Sequence, residues 1–276
     1  MHTLFNGIRG PVLALALGGA VATAGGCAPA LTTQQEVEIG RQNAAQVNQQ
    51  LPIVRDAAVN QYINELGRSI ARGADPRGIP YTFQVVNSNV VNAFALPGGY
   101  IYINRGVIER ASNASELAGV MSHEIAHVVE RHGIEQVQRA QNANMGLALL
   151  YGVLLGRNPG GLEQIGIQAG GTAVFASYGR DAEREADLRG VEFMTRAGYN
   201  PQGMVSFFEK LLSERQRNPS RLEQWFATHP LTEERIQITS RAVAAIPAAT
   251  RRNLNTDTRA FQSFKSRVRS LPATRQ

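Results

Sequence analysis

The sequence predicts an α+β fold that is mostly helical, with a small antiparallel sheet beside one central helix. Apolar residues recur at helical spacing in most segments between residues 33 and 246. Only residues 81–104 contain short segments with the alternation and the β-branched or aromatic residues typical of strands. The central helix lies in the apolar stretch 117–129, which contains the pattern His-Glu-x-x-His. With 276 residues and 43% hydrophobic composition, the chain can bury a sizeable core.

Residues 1–26 have the character of an export signal. Arg9 precedes an apolar run at residues 12–24, which is too short to span a bilayer and is followed by small residues. We therefore expect this segment to be removed on export and residues 27–32 to form a tether.

Cys27 is the only cysteine of the chain, so it cannot form an internal disulfide. Its position after Ala24-Gly25-Gly26 resembles a bacterial lipoprotein cleavage box, in which the cysteine becomes the lipidated N-terminus. The box commonly has Leu where Ala24 stands, so a plain secretory signal is the alternative. Ala28 differs from the Asp of an inner-membrane retention signal, which makes the outer membrane the expected address.

Two helices and three strands are predicted before the central helix. Residues 33–50 and 52–72 have helical apolar spacing, and turn residues at 73–78 end the second helix. The strands are residues 81–86, 90–96 and 100–104. Pro97-Gly98-Gly99 joins the last two strands as a hairpin.

The central helix is expected to span residues 114–132. Asn113 precedes Glu116 by three residues, as in a capping box, and Gly133 provides a C-terminal stop. His123 and His127 are four residues apart, so their imidazoles project from one face towards a common position.

Two imidazoles at this spacing suit zinc, which binds neutral nitrogen ligands and leaves a position for water. Glu124 is placed to take a proton from that water. The alternative is a pair of core histidines satisfied by hydrogen bonds. Because the chain has only 5 histidines, a chance match is rare, and unpaired polar groups in an apolar stripe are costly to bury. We therefore predict a zinc site, with Glu124 as the catalytic base.

A second predicted helix, residues 181–196, offers a third ligand. Glu183 and Asp187 share one face of it. A carboxylate from Glu183 would complete the ligand set of a catalytic zinc site, and Asp187 could accept the spare N–H of a ligating histidine. Taken alone, the two carboxylates are better explained as a solvated charged face beside Arg184, and only the histidine motif favours the ligand role. Glu185 points elsewhere and is expected to face solvent or form a salt bridge.

Three further regions complete the chain. Residues 145–155 and 165–178 are expected to form a buried helical hairpin, with a lid or a membrane-facing patch as the alternative. Residues 201–215 and 232–246 are predicted helices. The formal net charge of +6 is concentrated after Arg241, so residues 248–276 are expected to be a solvated basic tail, with contact to anionic lipid as the alternative. No nucleic acid is expected as a partner.

Three motifs, in this order, resemble the gluzincin metallopeptidases that include HtpX, BepA and the CAAX prenyl-protein proteases. The resemblance covers most of residues 35–245 and is closest to the periplasmic, BepA-like and lipoprotein members. The motifs are Asn92-Ala93-Phe94-Ala95-Leu96-Pro97-Gly98-Gly99, His123-Glu124-Ile125-Ala126-His127 and Glu183-Arg184-Glu185-Ala186-Asp187. The resemblance implies a zincin-like metallopeptidase domain at residues 33–247.

The resemblance also implies roles for individual residues. His123, His127 and Glu183 would hold one Zn²⁺ per chain, with Glu124 as the base and Asp187 behind the ligands. His229, in the sequence Thr228-His229-Pro230, resembles a histidine that BepA-like members bring towards the metal. It would either block the open position or stabilise the oxyanion, and a surface histidine is the alternative. Trp225-Phe226 is expected to anchor its loop in the core.

The strand containing Asn92, Ala93, Phe94 and Ala95 is a candidate open edge, to which an extended substrate could add through main-chain hydrogen bonds; an ordinary hairpin strand is the alternative. Such binding favours unfolded or misassembled envelope proteins as substrates. We therefore predict a zinc-dependent endopeptidase in the periplasm, lipid-anchored to the outer membrane, with the outer-membrane assembly machinery as a candidate partner. The alternatives are a chaperone-like assembly factor and a zinc hydrolase that acts on another bond, such as a cell-wall bridge.

Overall fold

The computed structural model describes residues 31–142, 177–217 and 222–272. The predicted export signal, Cys27 and nearly all of the interval 145–178 lie outside these residues, so the expectations for them stay predictions. None of the helices in the described ranges is long and apolar enough to cross a membrane.

Helices make up most of the described chain, as predicted. They are α1 (Thr33–Gln50), α2 (Ala57–Ala74), α3 (Arg105–Arg110), α4 (Ala114–Val129), α5 (His132–Asn142), α6 (Arg180–Arg196), α7 (Gln202–Arg217), α8 (Glu223–Thr228), α9 (Glu233–Ala245), α10 (Ala248–Arg252) and α11 (Arg259–Arg269). The strands are β1 (Thr82–Val86), β2 (Ala93–Leu96) and β3 (Tyr100–Asn104).

The sheet is mixed, which corrects the prediction of an antiparallel sheet. Its order is β1-β3-β2, and β2 pairs antiparallel with β3 as the expected hairpin. However, β1 runs parallel to β3. The reason is the connection at residues 87–92, which reverses the direction of the chain and also crosses the end of β3, so that β1 and β2 lie on opposite sides of β3. Gly106 N donates to Ser88 O and Asn104 N donates to Asn92 O, each at 2.9 Å, and these bonds hold the crossing in place.

Helix α4 forms the centre of the fold and is buried from Ala114 to Val128. Asn113 caps its N-terminus as predicted, because its side chain accepts a hydrogen bond from Glu116 N at 3.0 Å. The predicted end at His132 is wrong, since α4 ends at Val129. Arg131 has φ of 60°, a left-handed conformation that breaks the helix before Gly133 is reached.

Glycines allow the helices around α4 to pack closely. A Cβ atom on Gly119 of α4 would lie 2.8 Å from Met204 Cα of α7. A Cβ atom on Gly190 of α6 would lie 3.2 Å from His123 N. The backbones of α6 and α7 therefore approach α4 where its polar residues lie, and α2 packs against it as well.

We expect Gly119→Ala to lower the free energy of unfolding by about 1–2 kcal/mol, because overpacking against a backbone atom outweighs the higher helix propensity of Ala. Urea unfolding followed by circular dichroism measures the change. Gly73→Ala is the matched control, since the nearest heavy atom to its Cβ would lie 4.0 Å away. Equal stability of the two variants would contradict the close packing.

The chain after residue 247 is not a solvated tail, which corrects the sequence prediction. Phe261, Phe264 and Val268 of α11 are at most 5% exposed and belong to the main core. Arg267 on the outer side of α11 forms an ion pair with Asp56, the N-cap of α2, at 2.7 Å. The arginines of α11 therefore lie on the solvent-facing side of a helix that belongs to the compact unit Leu31–Gln276.

Candidate active site

Helix α4 brings three of the predicted residues together. His123, Glu124 and His127 are each at most 1% exposed. The Nε2 atoms of the two histidines lie 3.0 Å apart. Their four-residue spacing therefore produces the convergence that the sequence predicted.

Helix α6 supplies the carboxylate that the sequence assigned to this cluster. Glu183 Oε1 lies 3.4 Å from His127 Nε2. Glu183 and Asp187 are both 1% exposed, so the alternative of a solvated face is wrong. Asp187 Oδ1 lies 3.0 Å from His123 Nδ1, although the ring N–H is not aligned for a hydrogen bond.

His229 is the fourth member of the cluster and not a surface residue, since it is 1% exposed. Its Nδ1 lies 3.0 Å from Glu183 Oε1 and 3.3 Å from His123 Nε2. Its Nε2 lies 3.4 Å from Glu124 Oε1. Trp225, which is 1% exposed, anchors the preceding helix α8 in the core as predicted.

The surroundings shift the pKa values of the two carboxylates in the cluster in opposite directions. Burial raises the pKa of Glu124. Burial also opposes ionisation of Glu183, but His229, His127 and Arg235 outweigh it and hold the pKa of Glu183 well below its usual range. Burial lowers the pKa of His127 well below its usual range. Against the effect of burial, the carboxylates of Glu183 and Glu124 raise the pKa of His229 to about 9.

The donor atoms of this cluster fit a metal cation. One ligand atom from each of His123, His127, Glu183 and His229 lies within 4.8 Å of the others. Both oxygens of Glu124 are buried without a hydrogen-bond partner among the described residues, which is costly unless a water or an ion completes the site. Imidazole nitrogens and a carboxylate are the ligands of catalytic zinc sites.

Arg235 of α9 is a site residue to which the sequence reasoning assigned no role. It is 6% exposed, and its Nε and Nη2 donate to the two oxygens of Asp187 at 2.8 and 2.7 Å. Its Nη1 lies 2.6 Å from Glu183 Oε2 and donates to Pro230 O at 2.9 Å. Glu183 and Asp187 are buried carboxylates that need a cation, which is the signal that could have led to Arg235.

We expect Arg235→Met to lower the free energy of unfolding by about 3–5 kcal/mol, because it leaves Asp187 and Glu183 buried without a cation. Chemical denaturation of the metal-free protein measures the loss. Arg241→Met changes an exposed arginine of the same helix and should leave stability within about 0.5 kcal/mol. A similar stability for both variants would argue against the buried ion-pair network.

Strand β2 lies at an edge of the described sheet, close to the cluster. Asn92, which precedes it, is 1% exposed, and its Nδ2 has no partner in the described part of the chain. Its Oδ1 lies 3.4 Å from Thr228 Oγ1, next to His229. The side chains of Ala93, Phe94 and Ala95 are at most 6% exposed, so only the backbone of this edge is a candidate for contact with a ligand.

The fold and the site agree with a comparison against protein families, in which residues 56–242 match peptidase family M48. The chain belongs to peptidase family M48. This result confirms the predicted metallopeptidase domain and the resemblance to gluzincin metallopeptidases.

Three characterised relatives illustrate the family. The chain is 34% identical over 211 residues to the beta-barrel assembly-enhancing protease of Escherichia coli. The aligned region covers 75% of this chain and 43% of that protease. It is 31% identical over 172 residues to the E. coli metalloprotease YcaL, and the aligned region covers 60% of this chain and 64% of YcaL. It is 30% identical over 167 residues to the mitochondrial metalloendopeptidase OMA1 of Arabidopsis thaliana, and the aligned region covers 60% of this chain and 32% of OMA1. The chain therefore spans less than half of the assembly-enhancing protease.

Proposed function

We propose that this chain is a zinc-dependent endopeptidase in which His123, His127 and Glu183 hold the metal. The observation that carries the proposal is the convergence of two imidazoles and a carboxylate beside Glu124, whose oxygens are buried without a hydrogen-bond partner among the described residues. A zinc ion at such a site acts as a Lewis acid, which lowers the pKa of a coordinated water to about 7 and polarises a carbonyl group.

Glu124 is the catalytic base in this proposal. It accepts a proton from the attacking water and returns the proton to the leaving amine, so that the peptide bond is hydrolysed without a covalent intermediate. Asp187 lies 3.0 Å behind the ring of His123, where it would orient the ring once zinc is bound, and Arg235 donates hydrogen bonds to both oxygens of Asp187.

His229 is proposed to keep the resting enzyme latent. Its Nδ1 faces Glu183 and His123 at 3.0 and 3.3 Å, which favours a role as a fourth donor to the metal. A role in stabilising the oxyanion is the alternative and predicts the opposite effect of removing the side chain.

The substrates are proposed to be unfolded or misassembled proteins of the bacterial cell envelope. The edge position of β2 and the Nδ2 of Asn92, which has no hydrogen-bond partner among the described residues, suit recognition of an extended main chain. Similarity to a protease named for β-barrel assembly supports outer-membrane assembly proteins as partners and a periplasmic location. Lipidation of Cys27 would tether the enzyme to the outer membrane. A chaperone-like assembly factor on the same fold is the alternative, against which the intact Glu124 argues.

The decisive experiment measures metal content and casein hydrolysis of the mature protein and of His229→Ala. We expect about one zinc per chain, and activity that a chelator removes and zinc restores. Higher activity in His229→Ala supports latency, whereas lower activity supports the oxyanion role. A protein that binds no zinc, or that hydrolyses peptides equally well with chelator, would contradict the proposal.

A further inference from the structure

His127 has a second ring nitrogen, and this atom contacts another buried histidine. His127 Nδ1 lies 3.0 Å from His132 Nδ1, within hydrogen-bond distance. His132 is 4% exposed, and its Nε2 lies 3.3 Å from Glu185 Oε2. All the histidines of the described chain, His123, His127, His132 and His229, therefore belong to one connected group.

Zinc binding would determine where the protons lie along these contacts. With Nε2 of His127 bound to the proposed zinc, the neutral ring of His127 carries its proton on Nδ1. His132 Nδ1 must then accept that hydrogen bond, and neutral His132 carries its own proton on Nε2. That proton points to Glu185, whose side chain is 53% exposed and can accept it. In this arrangement His127 Nδ1 donates to His132 Nδ1, and His132 Nε2 donates to the carboxylate of Glu185.

We propose that His132, held by Glu185, is a positioning residue that fixes the tautomer and orientation of His127 as a zinc ligand. The inference rests on the proposed function, because it concerns the same metal. Outer partners of this kind raise the basicity of a ligating histidine and hold its ring in place. Here the outer partner is a second histidine, whereas His123 faces the carboxylate of Asp187.

The contact between His127 and His132 is possible because the helix is interrupted after α4. In a continuous helix, a residue five positions after His127 would lie about 140° around the axis from it and could not face its ring. Instead Arg131 adopts φ of 60°, and the chain folds back beneath His127. The conformation is costly for a residue with a Cβ atom and persists only when the surroundings hold it.

Arg131 is held by Glu36 of α1, a carboxylate that is 1% exposed. Arg131 Nε donates to Glu36 Oε2 at 2.9 Å, and Arg77 Nη1 donates to the same oxygen at 3.2 Å. The two arginines and the buried carboxylate therefore fix the strained residue that directs His132 towards the site.

Tyr178 restricts the remaining freedom of the His127 ring. The two rings are stacked with centroids 3.8 Å apart and an angle of 15° between their planes. Stacking fixes the plane of the imidazole but does not decide which nitrogen carries the proton. The hydrogen bond to His132 supplies that second restraint, so the two contacts are complementary.

The test compares three substitutions of His132 in the mature protein. Asn places an acceptor close to the position of the histidine Nδ1, Gln places one near Nε2, and Leu has none. We expect His132→Leu and His132→Gln to weaken zinc binding by about 10–100-fold, as measured by competition with a chromogenic chelator. His132→Asn should stay within about threefold of wild type. The absorption spectrum of the cobalt-substituted protein should shift in the first two variants and not in the third.

The outcomes separate the possible failures. Equal zinc affinity for His132→Asn and His132→Gln would overturn the positioning role, and this comparison holds even if His132→Leu does not fold. The positioning role would also be overturned if the loss of zinc affinity in each variant paralleled its loss of unfolding free energy without metal. His132 would then have only a structural role. A wild-type protein without zinc would overturn the proposed function and this inference together.

Discussion

Replacing Glu124 by Gln is expected to lower kcat/KM for casein-derived peptides by about 10²–10⁴-fold while bound zinc stays near one per chain. The amide keeps the size of the side chain but cannot accept a proton from water, and general-base catalysis is worth about that factor. Glu124 is 0% exposed and both of its oxygens lack hydrogen-bond partners in the described part of the chain, so the substitution should not disturb packing. Steady-state hydrolysis and metal analysis of the same preparation measure both effects.

Ser122→Ala is a suitable control for this substitution. Ser122 precedes the histidine motif on the same helix, is 0% exposed, and its hydroxyl has no partner among the described residues. The control should keep most of the activity. Full hydrolytic activity in Glu124→Gln would rule out the role of a base. Envelope function retained in a Glu124→Gln protein without hydrolysis would instead favour the alternative of a chaperone-like factor.

Glu183→Ala is expected to remove stoichiometric zinc, with a loss of affinity larger than the about 10–100-fold that an outer partner contributes. His123→Ala should have the same effect. Glu183 is one of the three residues proposed to hold the metal, with His229 as a fourth donor in the resting enzyme, and its Oε1 faces His127 at 3.4 Å. Equilibrium dialysis against buffered zinc measures the affinity, and hydrolysis should be lost in parallel.

Asp181→Ala is the matched control, because Asp181 is a carboxylate of the same helix whose side chain is 98% exposed. It should bind zinc as wild type does. Retention of one zinc per chain in Glu183→Ala would refute the ligand assignment, and the metal would then have to be held by His123, His127 and His229.

Local spacing made much of this structure predictable. The first helix begins and ends at the predicted residues, Thr33–Gln50, and the ligand-bearing helix α6 differs by one residue at its start. His123 and His127 meet because four residues span about one helical turn, which is a property of the chain over a few residues. Glu183 could be assigned only because its own spacing with Asp187 matched the needs of the first motif.

Contacts between distant parts of the chain were not predictable in the same way. The pairing of β1 with β3 depends on how residues 87–92 cross the sheet, and no local pattern specifies that crossing. Arg235 and Asp187 are 48 positions apart in the sequence, so the residues next to Arg235 give no indication of this contact. A helix stop at Arg131, where Gly133 was expected, likewise depends on Glu36, which lies 95 positions away.

The C-terminal region was mispredicted for a related reason. Its charge suggested a solvated tail, but Phe261, Phe264 and Val268 recur at helical spacing on one face of α11 and are buried. Arginines on the opposite face give the segment its basic character without removing it from the core. Net charge describes the solvent-facing side of an amphipathic helix, whereas the spacing of the apolar residues decides whether it packs.

The buried carboxylate of Glu36 has a practical consequence for work with shortened proteins. The family match begins at residue 56, yet the turn that follows α4 relies on an acidic group from α1. A fragment trimmed to the family boundary would lose the partner of Arg131 and Arg77 and expose the underside of the hairpin turn, where Gly98 approaches α1. Expression designs for crystallography or inhibitor screening should therefore start ahead of Thr32.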